Sequence, residues 1–300
     1  MVDTLSGKNY QTLLTVKDKR FNVAALSQYH LSICISDASF KVSCVNPTTT
    51  QCLFLAAYSL VYERCQQRVE AIEQLYQDHR LLVAGNWSAV TLCISNQQYS
   101  LIPKHLFQES NLVDYLDFTC PIGAHTLKHF THTSLNLTVA FAMDPLIINW
   151  FQTTYEPTQL TILHQASSLI EGALSYLRSV RPSLLPRVLV FVEANHLHCI
   201  VIQKSNLLYY NRFAYTSSDE FLNYILIVMH TLKLDPGLHE VILGGRISKG
   251  SIAYRQARNH IRKLTFIGSP PSLKFRSIFN KEMCTTHWDV LSTYLCHEAL

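Results

Sequence analysis

The sequence is poor in charge and in long apolar runs, and both shortages exclude classes of protein. Charged residues make up 15% of the 300 residues, against about 25% in ordinary globular chains, while apolar residues make up 48%. This balance excludes a disordered chain and predicts a large buried core. No uninterrupted apolar run approaches the roughly 18–20 residues that span a bilayer, so we expect no membrane insertion.

Glycine is also scarce. Nine glycines in the whole chain leave few places where bare backbone could approach a phosphate group, as phosphate-binding loops require. The first ten residues hold no basic segment followed by an apolar stretch, so we expect no signal peptide.

The nine cysteines form no Cys-x-x-Cys pair, and most of them lie inside apolar runs. An odd count in a chain of this size is typical of buried free thiols in a reducing compartment. The sequence therefore predicts a cytoplasmic location. The formal net charge is +4, and we interpret the Lys and Arg residues as scattered, which predicts neither a nucleic-acid partner nor a membrane surface as partner.

Apolar periodicity predicts two successive series of strands and helices. In the first half, strands are expected at 10–16, 29–36, 40–46, 51–59, 89–95, 101–103, 126–131, 136–142 and 159–163, and helices at 63–80, 104–116, 145–154 and 166–180. In the second half, strands are expected at 188–192, 199–203, 207–213, 240–243 and 264–267, and helices at 219–232, 252–262 and 289–298. Asp144 and Ser218 are the expected caps of two helices.

Both halves begin with three strands and continue with helix-crossed strands, which predicts mixed sheets covered by helices in an α/β architecture. Two prolines within 181–186 stop one helix and reset the chain direction. We therefore expect two domains, 1–182 and 186–300, with a small inserted hairpin at about 119–143.

Two mixed-sheet domains in tandem, each opening with a three-strand meander, resemble the actin-like ATPases, whose fold is a duplicated ribonuclease-H-like domain. More closely, the sequence resembles an uncharacterised domain family of Bacteroidota that is taken to have this actin-like ATPase fold. The resemblance is carried by residues 99–107, 207–213, 219–226, 234–236 and 241–245. The resemblance implies the fold. It also implies that actin-like scaffold proteins of pilus assembly and secretion systems are relatives with a similar domain arrangement.

An actin-like ATPase uses two glycine-containing hairpins to hold phosphates, each with an Asp for a metal-bound water. In the first hairpin the Asp position falls on Ser36, or on Asp37 after a slip of one residue, and Ala38 replaces the glycine. Lys41 fits either a phosphate-binding lysine or a solvated strand position.

The second hairpin departs further from the ATPase pattern. Phe191 stands at the Asp position, and Glu193, Ala194 and Asn195 replace the glycines. Side chains at these positions block close approach of backbone to phosphate, which argues against ATP hydrolysis by the usual machinery. Gly244-Gly245 after an apolar strand matches the adenosine motif of the resemblance, and it equally fits a strand end that needs small residues for packing.

Other sites are less favoured by spacing. A metal site was considered at three groups: His125, His129 and His132; His196 and His198; and Cys284, His287, Cys296 and His297. Strand geometry separates the first group onto two faces, and the last lacks zinc-finger spacing. We expect no metal site. A ribonuclease-H-type nuclease would need three or four converging carboxylates, and only Asp37, Glu70 and Glu73 lie near the first strand ends.

Three functions remain open on the sequence alone. The leading expectation is a catalytically silent actin-like scaffold or protein-interaction module, with an unidentified protein partner or a second copy of itself and with no cofactor. The alternative is a nucleotide-binding switch that takes ATP and Mg²⁺ between the two domains without efficient hydrolysis. Its site residues would be Ser36, Asp37, Lys41, Asn195, Gly244 and Gly245. An active ATPase or nuclease is the third.

Overall fold

The computed structural model describes residues 8–62, 67–79, 82, 86–117, 123–156 and 158–298. The strands are β1 Tyr10–Lys17, β2 His30–Ile35, β3 Ser39–Asn46, β4 Gln51–Leu60, β5 Ala89–Ile94, β6 Tyr99–Pro103, β7 Thr126–His132, β8 Leu137–Met143, β9 Leu160–His164, β10 Arg187–Val192, β11 His196–Gln203, β12 Asn206–Ala214, β13 Glu240–Gly245 and β14 Lys263–Phe266. The helices are α1 Gln67–Asp78, α2 Leu112–Asp117, α3 Pro145–Thr154, α4 Gln165–Ser179, α5 Ser218–Thr231, α6 Ile252–His260, α7 Lys281–Thr286, α8 Trp288–Thr293 and α9 Leu295–Glu298. The start of the helix expected from residue 63, Cys65, Cys120 and the first residues of the expected inserted hairpin lie outside the described residues.

The chain divides into two compact units. The first contains Met1–Ser168, Leu273–Ile278 and Asp289–Leu300, and the second contains Leu169–Ser272 and Phe279–Trp288. This division differs from the expected boundaries at 182 and 186. The difference arises because two later segments return to the first unit: Lys274 exchanges backbone hydrogen bonds with Thr50 and Cys52, and the segment from Asp289 packs on the first sheet.

The first unit is built on a six-stranded mixed sheet in the order β1-β4-β3-β2-β5-β9. β2, β3 and β4 form the expected antiparallel meander, β1 extends it beside β4, and β5 and β9 add in parallel. All six residues of β2 are buried, so both faces of the sheet are covered, as the continuous apolar run predicts.

A smaller sheet of the first unit has the order β6-β8-β7. The expected hairpin is present as β7 and β8, and β6 joins it as a third strand. The helix expected at 104–116 is confirmed only from Leu112, where α2 begins. Before it, the chain forms 3₁₀ turns at Lys104–Leu106 and Glu109–Asn111. The Tyr115 hydroxyl stabilises this irregular backbone, since it donates to the Leu106 carbonyl and accepts from the Gln108 N–H.

The second unit is built on a five-stranded sheet in the order β12-β11-β10-β13-β14. Two antiparallel pairs precede two parallel pairs, the same arrangement that β4-β3-β2-β5-β9 shows in the first unit. The repeat of pattern expected from the sequence is therefore confirmed. Its buried core joins β10, β11 and β13 to one face of α5, through Phe221, Ile225 and Met229.

Helix ends follow local capping chemistry. Asp144 caps α3 as expected, because its side chain accepts from the Leu146 N–H at 2.9 Å and Pro145 opens the helix. The cap expected at Ser218 is instead Ser217, whose hydroxyl accepts from the Glu220 N–H. The closing helix expected at 289–298 is divided into α8 and α9, and the Asp289 carbonyl accepts hydroxyl bonds from Ser168 and Thr293.

Candidate functional site

The turn of the first hairpin, between β2 and β3, is closed by its own polar groups. The Ser36 N–H donates to the Ser39 carbonyl at 2.9 Å, and the Ser39 N–H donates to the Ser36 hydroxyl oxygen at 3.1 Å. The two hydroxyl groups lie 2.7 Å apart. The side chain at the expected Asp position therefore bonds within the turn.

Asp37 points outward from this turn. Its side chain is 83% exposed and pairs with Arg68 Nη1 at 3.1 Å, while its backbone carbonyl accepts from the Tyr62 hydroxyl. Arg68 comes from the first turn of α1. The carboxylate thus has a cationic partner on its own unit.

Lys41 is buried, so its interpretation as a solvated strand position is wrong. It is the third residue of β3, where it lies opposite Cys34 of β2, and it is 6% exposed. Its Nζ lies 2.6 Å from Asp289 Oδ2. The ammonium group of the first hairpin is thus neutralised by a carboxylate 248 residues away in the sequence.

A polar cluster surrounds this ion pair inside the first unit. Gln165 Nε2 donates to the same Asp289 Oδ2 at 3.2 Å, and the Ser95 hydroxyl donates to Gln165 Oε1 at 2.6 Å. All of these side chains are buried. Because the charges are opposite and hydrogen-bonded, the cluster meets the condition under which buried ions are tolerated. Asp289 Oδ1 is buried without a hydrogen-bond partner among the described residues.

The Cys34 thiol lies 3.7 Å from Asp289 Oδ2. Its neighbour across the parallel pair of strands is Cys93. The hydrogen bond with Cys93, followed by burial, raises the pKa of Cys34 well above its ordinary value. The thiol next to the ion pair therefore stays protonated at neutral pH and adds no negative charge.

The second hairpin, between β10 and β11, carries a carboxylate where the ATPases have glycine. Glu193 Oε2 lies 3.3 Å from His198 Nε2 and 3.7 Å from Arg212 Nη2. His198 is buried and its Nδ1 lies 2.8 Å from the Tyr210 hydroxyl. The carboxylate of this turn thus already has a guanidinium and an imidazole as partners within the second unit.

Phe191, at the position of the metal-binding Asp, is buried in β10 and lies beside Gly244 of β13. Its ring centroid is 6.1 Å from that of His198. A phenyl ring at this position offers no ligand to a metal-bound water. Asn195 is exposed in the turn, and its backbone carbonyl accepts from the Tyr215 N–H at 3.0 Å.

Gly244 and Gly245 have a packing role in the second unit. A Cβ on Gly244 would lie 2.8 Å from Ile267 Cγ2. Gly245 has φ +84°, and a Cβ there would lie 2.1 Å from the Val192 carbonyl oxygen. Only glycine fits this strand end, which accounts for the Gly-Gly pair without a nucleotide.

The structure distributes the six candidate residues over two separate groups. Ser36, Asp37 and Lys41 share the first hairpin, in the first unit, but their side chains have different partners. Asn195 and the two glycines lie at the same end of the sheet of the second unit, where β10 and β13 end side by side. Sequence reasoning missed Asp289 and Gln165, and the one signal for Asp289 was that it is the only charged residue in 288–296.

Within the described residues, no group of three or more His, Cys, Asp or Glu side chains is placed to hold a metal ion. His132 is buried in β7 and its Nε2 lies 3.2 Å from the Ser167 hydroxyl. No helix among the described residues has the length and apolar character needed to cross a membrane.

The sequence from residue 18 to residue 264 matches the family model described as protein of unknown function (DUF3822). This chain belongs to the DUF3822 family. Among curated proteins, none matches the chain. The family and its fold confirm the resemblance on which the sequence expectations rested.

Solved structures show that this DUF3822 chain has the actin-like ATPase fold. A Bacteroides thetaiotaomicron protein with actin-like ATPase fold and unknown function superimposes with a TM-score of 0.72 at 17% identity, covering 85% of this chain and 95% of that one. A PilM–PilN type IV pilus biogenesis complex gives a TM-score of 0.52 at 13% identity, covering 89% of this chain and 97% of that one. At these identities the likeness establishes the fold, and function must be argued from the site.

Proposed function

We propose that this DUF3822 protein is a non-catalytic actin-like scaffold or protein-interaction module. The observation that carries the proposal is the buried ion pair between Lys41 and Asp289, at 2.6 Å. A lysine that binds phosphate needs an ammonium group that is able to pair with the negative charge of the ligand. Here the ammonium group of Lys41 is already paired with the Asp289 carboxylate of the same unit. Breaking a buried ion pair by removing one partner costs about 3–5 kcal/mol.

The second hairpin supports the same proposal. A carboxylate, Glu193, and a phenyl ring, Phe191, occupy positions where an active member needs bare backbone and a metal-binding Asp. Phosphoryl transfer depends on positioning and on stabilising negative charge. The partners of Lys41 and the side chains of the second hairpin support a role that does not depend on this chemistry. The fold neighbour in the PilM–PilN complex is a precedent for such a fold that works with another protein.

A nucleotide-binding switch without efficient hydrolysis is the second candidate, and the retained Gly244-Gly245 pair after an apolar strand favours it. A ligand needs only different affinities for two conformations to act as a switch. The structural need for both glycines weakens this support, because packing alone accounts for them.

Isothermal titration with ATP and ADP in the presence of Mg²⁺ tests the proposal. We expect no binding heat up to millimolar nucleotide for the natural protein. A dissociation constant in the micromolar range, about −8 kcal/mol, would favour the switch, and phosphate release in a single-turnover assay would show an ATPase. Asp37→Ala and Lys41→Met/Asp289→Leu are the two variants to compare, and the second leaves no buried charge unpaired. A change in heat or turnover only with the double variant would place the phosphates at Lys41.

A further inference from the structure

The second unit carries a basic surface, although the Lys and Arg residues were expected to be scattered along the sequence. Residues 241–281 contain nine Lys and Arg residues and no Asp or Glu, so the interpretation of the charges as scattered is wrong for this segment. The imbalance extends to the whole unit. The second unit holds 13 Lys and Arg against 7 Asp and Glu, a net +6, while the first holds 12 against 14, a net −2.

Six of these cations are exposed on or beside α6, and we call them the basic surface: Arg246, Lys249, Arg255, Arg258, Arg262 and Lys263. None of them forms an ion pair with a carboxylate of the described residues. Asp219 accepts from Gln256 at 2.8 Å, and Glu240, which lies opposite Lys263 in the sheet, pairs with Arg187 at 3.1 Å. Arg258 Nη1 donates to the Arg262 carbonyl at 2.6 Å, a contact that leaves its charge uncompensated. The charges of this surface are therefore available to a partner.

The helix presents this surface because its opposite side is buried. Ala257 is buried, and Ala253 and Tyr254 pack against the core of the unit. Arg255 and Arg258 are three residues apart and share the exposed side, which also holds Ile252. Ile252 is 60% exposed, so an aliphatic side chain lies beside the cations.

The combination of exposed cations with an exposed isoleucine favours one class of anionic partner over others. Tyr254 of α6 and Phe266 of β14 stack on each other with centroids 5.2 Å apart, which disfavours their stacking on single-stranded bases. A membrane-binding helix needs a wide apolar face toward the lipid, whereas the apolar face of α6 packs into the core. An exposed isoleucine among cations is best matched by a protein segment that combines carboxylates with aliphatic side chains.

We propose that the basic surface docks an acidic, aliphatic segment of a protein partner. The inference rests on the proposed function, because it gives the chemistry of the partner that the interaction module would bind. Charge complementarity selects the partner and speeds association, and burial of Ile252 adds apolar contact. Nucleotide binding does not enter it, so the titration described above and the docking test can fail independently.

Fluorescence anisotropy at low salt tests the proposal with a fluorescein-labelled peptide of alternating glutamate and leucine. The decisive variant is Lys249→Glu/Arg255→Glu. The matched control, Arg178→Glu/Lys204→Glu, makes the same change in net charge elsewhere in the unit. Those two residues flank an apolar groove lined by Leu177, Val180, Leu184 and Ile202, so the control also tests that groove as the docking site.

We expect the natural protein to bind the peptide, the Lys249/Arg255 variant to bind about tenfold more weakly, and the control to stay within about threefold. Ile252→Ser should also weaken binding, and added salt should weaken it further. Equal losses in both double variants, a larger loss in the control, or no peptide binding would overturn the proposal. Tighter binding of a duplex DNA oligonucleotide or of phosphatidylserine vesicles would overturn it in favour of those partners. Circular dichroism of each variant checks that its fold is intact.

Discussion

At the scale of single residues, the buried ion pair between Lys41 and Asp289 is the main difference from a phosphate-binding hairpin. A lysine in this strand can serve a ligand only if nothing on the protein neutralises it, and Asp289 and the cluster around it do so. Buried ion pairs contribute little net stability compared with well-packed apolar residues, yet removal of one partner leaves an uncompensated charge. The pair therefore links Asp289, in α8, to Lys41 in β3 of the first sheet.

Asp289→Ala is expected to lower the free energy of unfolding by about 3–5 kcal/mol, because Lys41 is left buried and unpaired. The double variant Lys41→Met/Asp289→Leu should regain most of this loss, since it removes both charges and keeps apolar volume. Urea unfolding followed by circular dichroism measures both. A single variant as stable as the natural protein would contradict the buried position of the pair.

The lowered pKa of Asp18 predicts that the free energy of unfolding decreases at acidic pH. The carboxylate accepts from the Arg20 guanidinium at 2.8 and 2.9 Å and from its backbone N–H, and the Arg20 side chain foremost lowers the pKa of Asp18 from 3.8 to about 2. A lowered pKa in the folded state stabilises the protein above the unfolded-state pKa. This stabilisation is lost as the pH falls from 3.8 to about 2.

The measurement compares unfolding free energies of the natural protein and Asp18→Asn over this range. We expect a constant difference above pH 3.8 and a shrinking one below it, toward about 2. A difference that does not change with pH would show that Asp18 titrates alike in both states.

At the scale of elements, the backbone conformation at strand ends and turns decides which glycines can be replaced by a residue with a side chain. β13 ends in Gly245, where the chain turns beside Val192 with φ +84°. Gly250 lies in the following loop, where the nearest atom to an added Cβ is Ser248 Oγ at 3.8 Å. The same substitution therefore meets two different environments five residues apart.

Gly245→Ala is expected to destabilise the protein by at least about 2 kcal/mol, because a Cβ both clashes with backbone and disfavours this φ. Gly250→Ala should stay within about 0.5 kcal/mol of the natural protein. Thermal unfolding of the two variants provides the comparison. Equal melting temperatures would mean that the turn after β13 is placed wrongly.

Element order and most boundaries followed from the sequence, and the exceptions have local causes. Continuous apolar runs predicted β2 and β3, and Asp144 before Pro145 predicted the start of α3. The helix expected at 104–116 forms only from Leu112, because the hydroxyl of Tyr115 satisfies backbone groups at Leu106 and Gln108 that a longer helix would have paired. Periodicity carries no information on such a contact, since it depends on where one side chain folds back.

At the scale of the whole molecule, the cysteines behave as core residues. All seven described cysteines are buried thiols that form no disulfide, and they come from both units. Burial raises the pKa of Cys44 and of Cys199, which disfavours the reactive thiolate. These thiols are therefore protected by the fold.

We expect the seven described thiols to react slowly with a thiol reagent in the native protein and all nine to react once the chain is unfolded in denaturant. A reducing agent should leave the melting temperature unchanged. Rapid reaction of more than two thiols in the folded state would contradict the burial described here.

Sequence by itself determined the fold class, the repeated order of strands and helices, and the loss of glycine from both hairpins, because these depend on residue types at neighbouring positions. Tertiary structure alone decided the partner of Lys41, the return of the segment from Asp289 to the first unit, and the availability of the cations around α6. The physical reason is distance along the chain. Periodicity and capping act over a few residues, whereas the Lys41–Asp289 pair joins groups 248 residues apart, which only folding brings within hydrogen-bonding range.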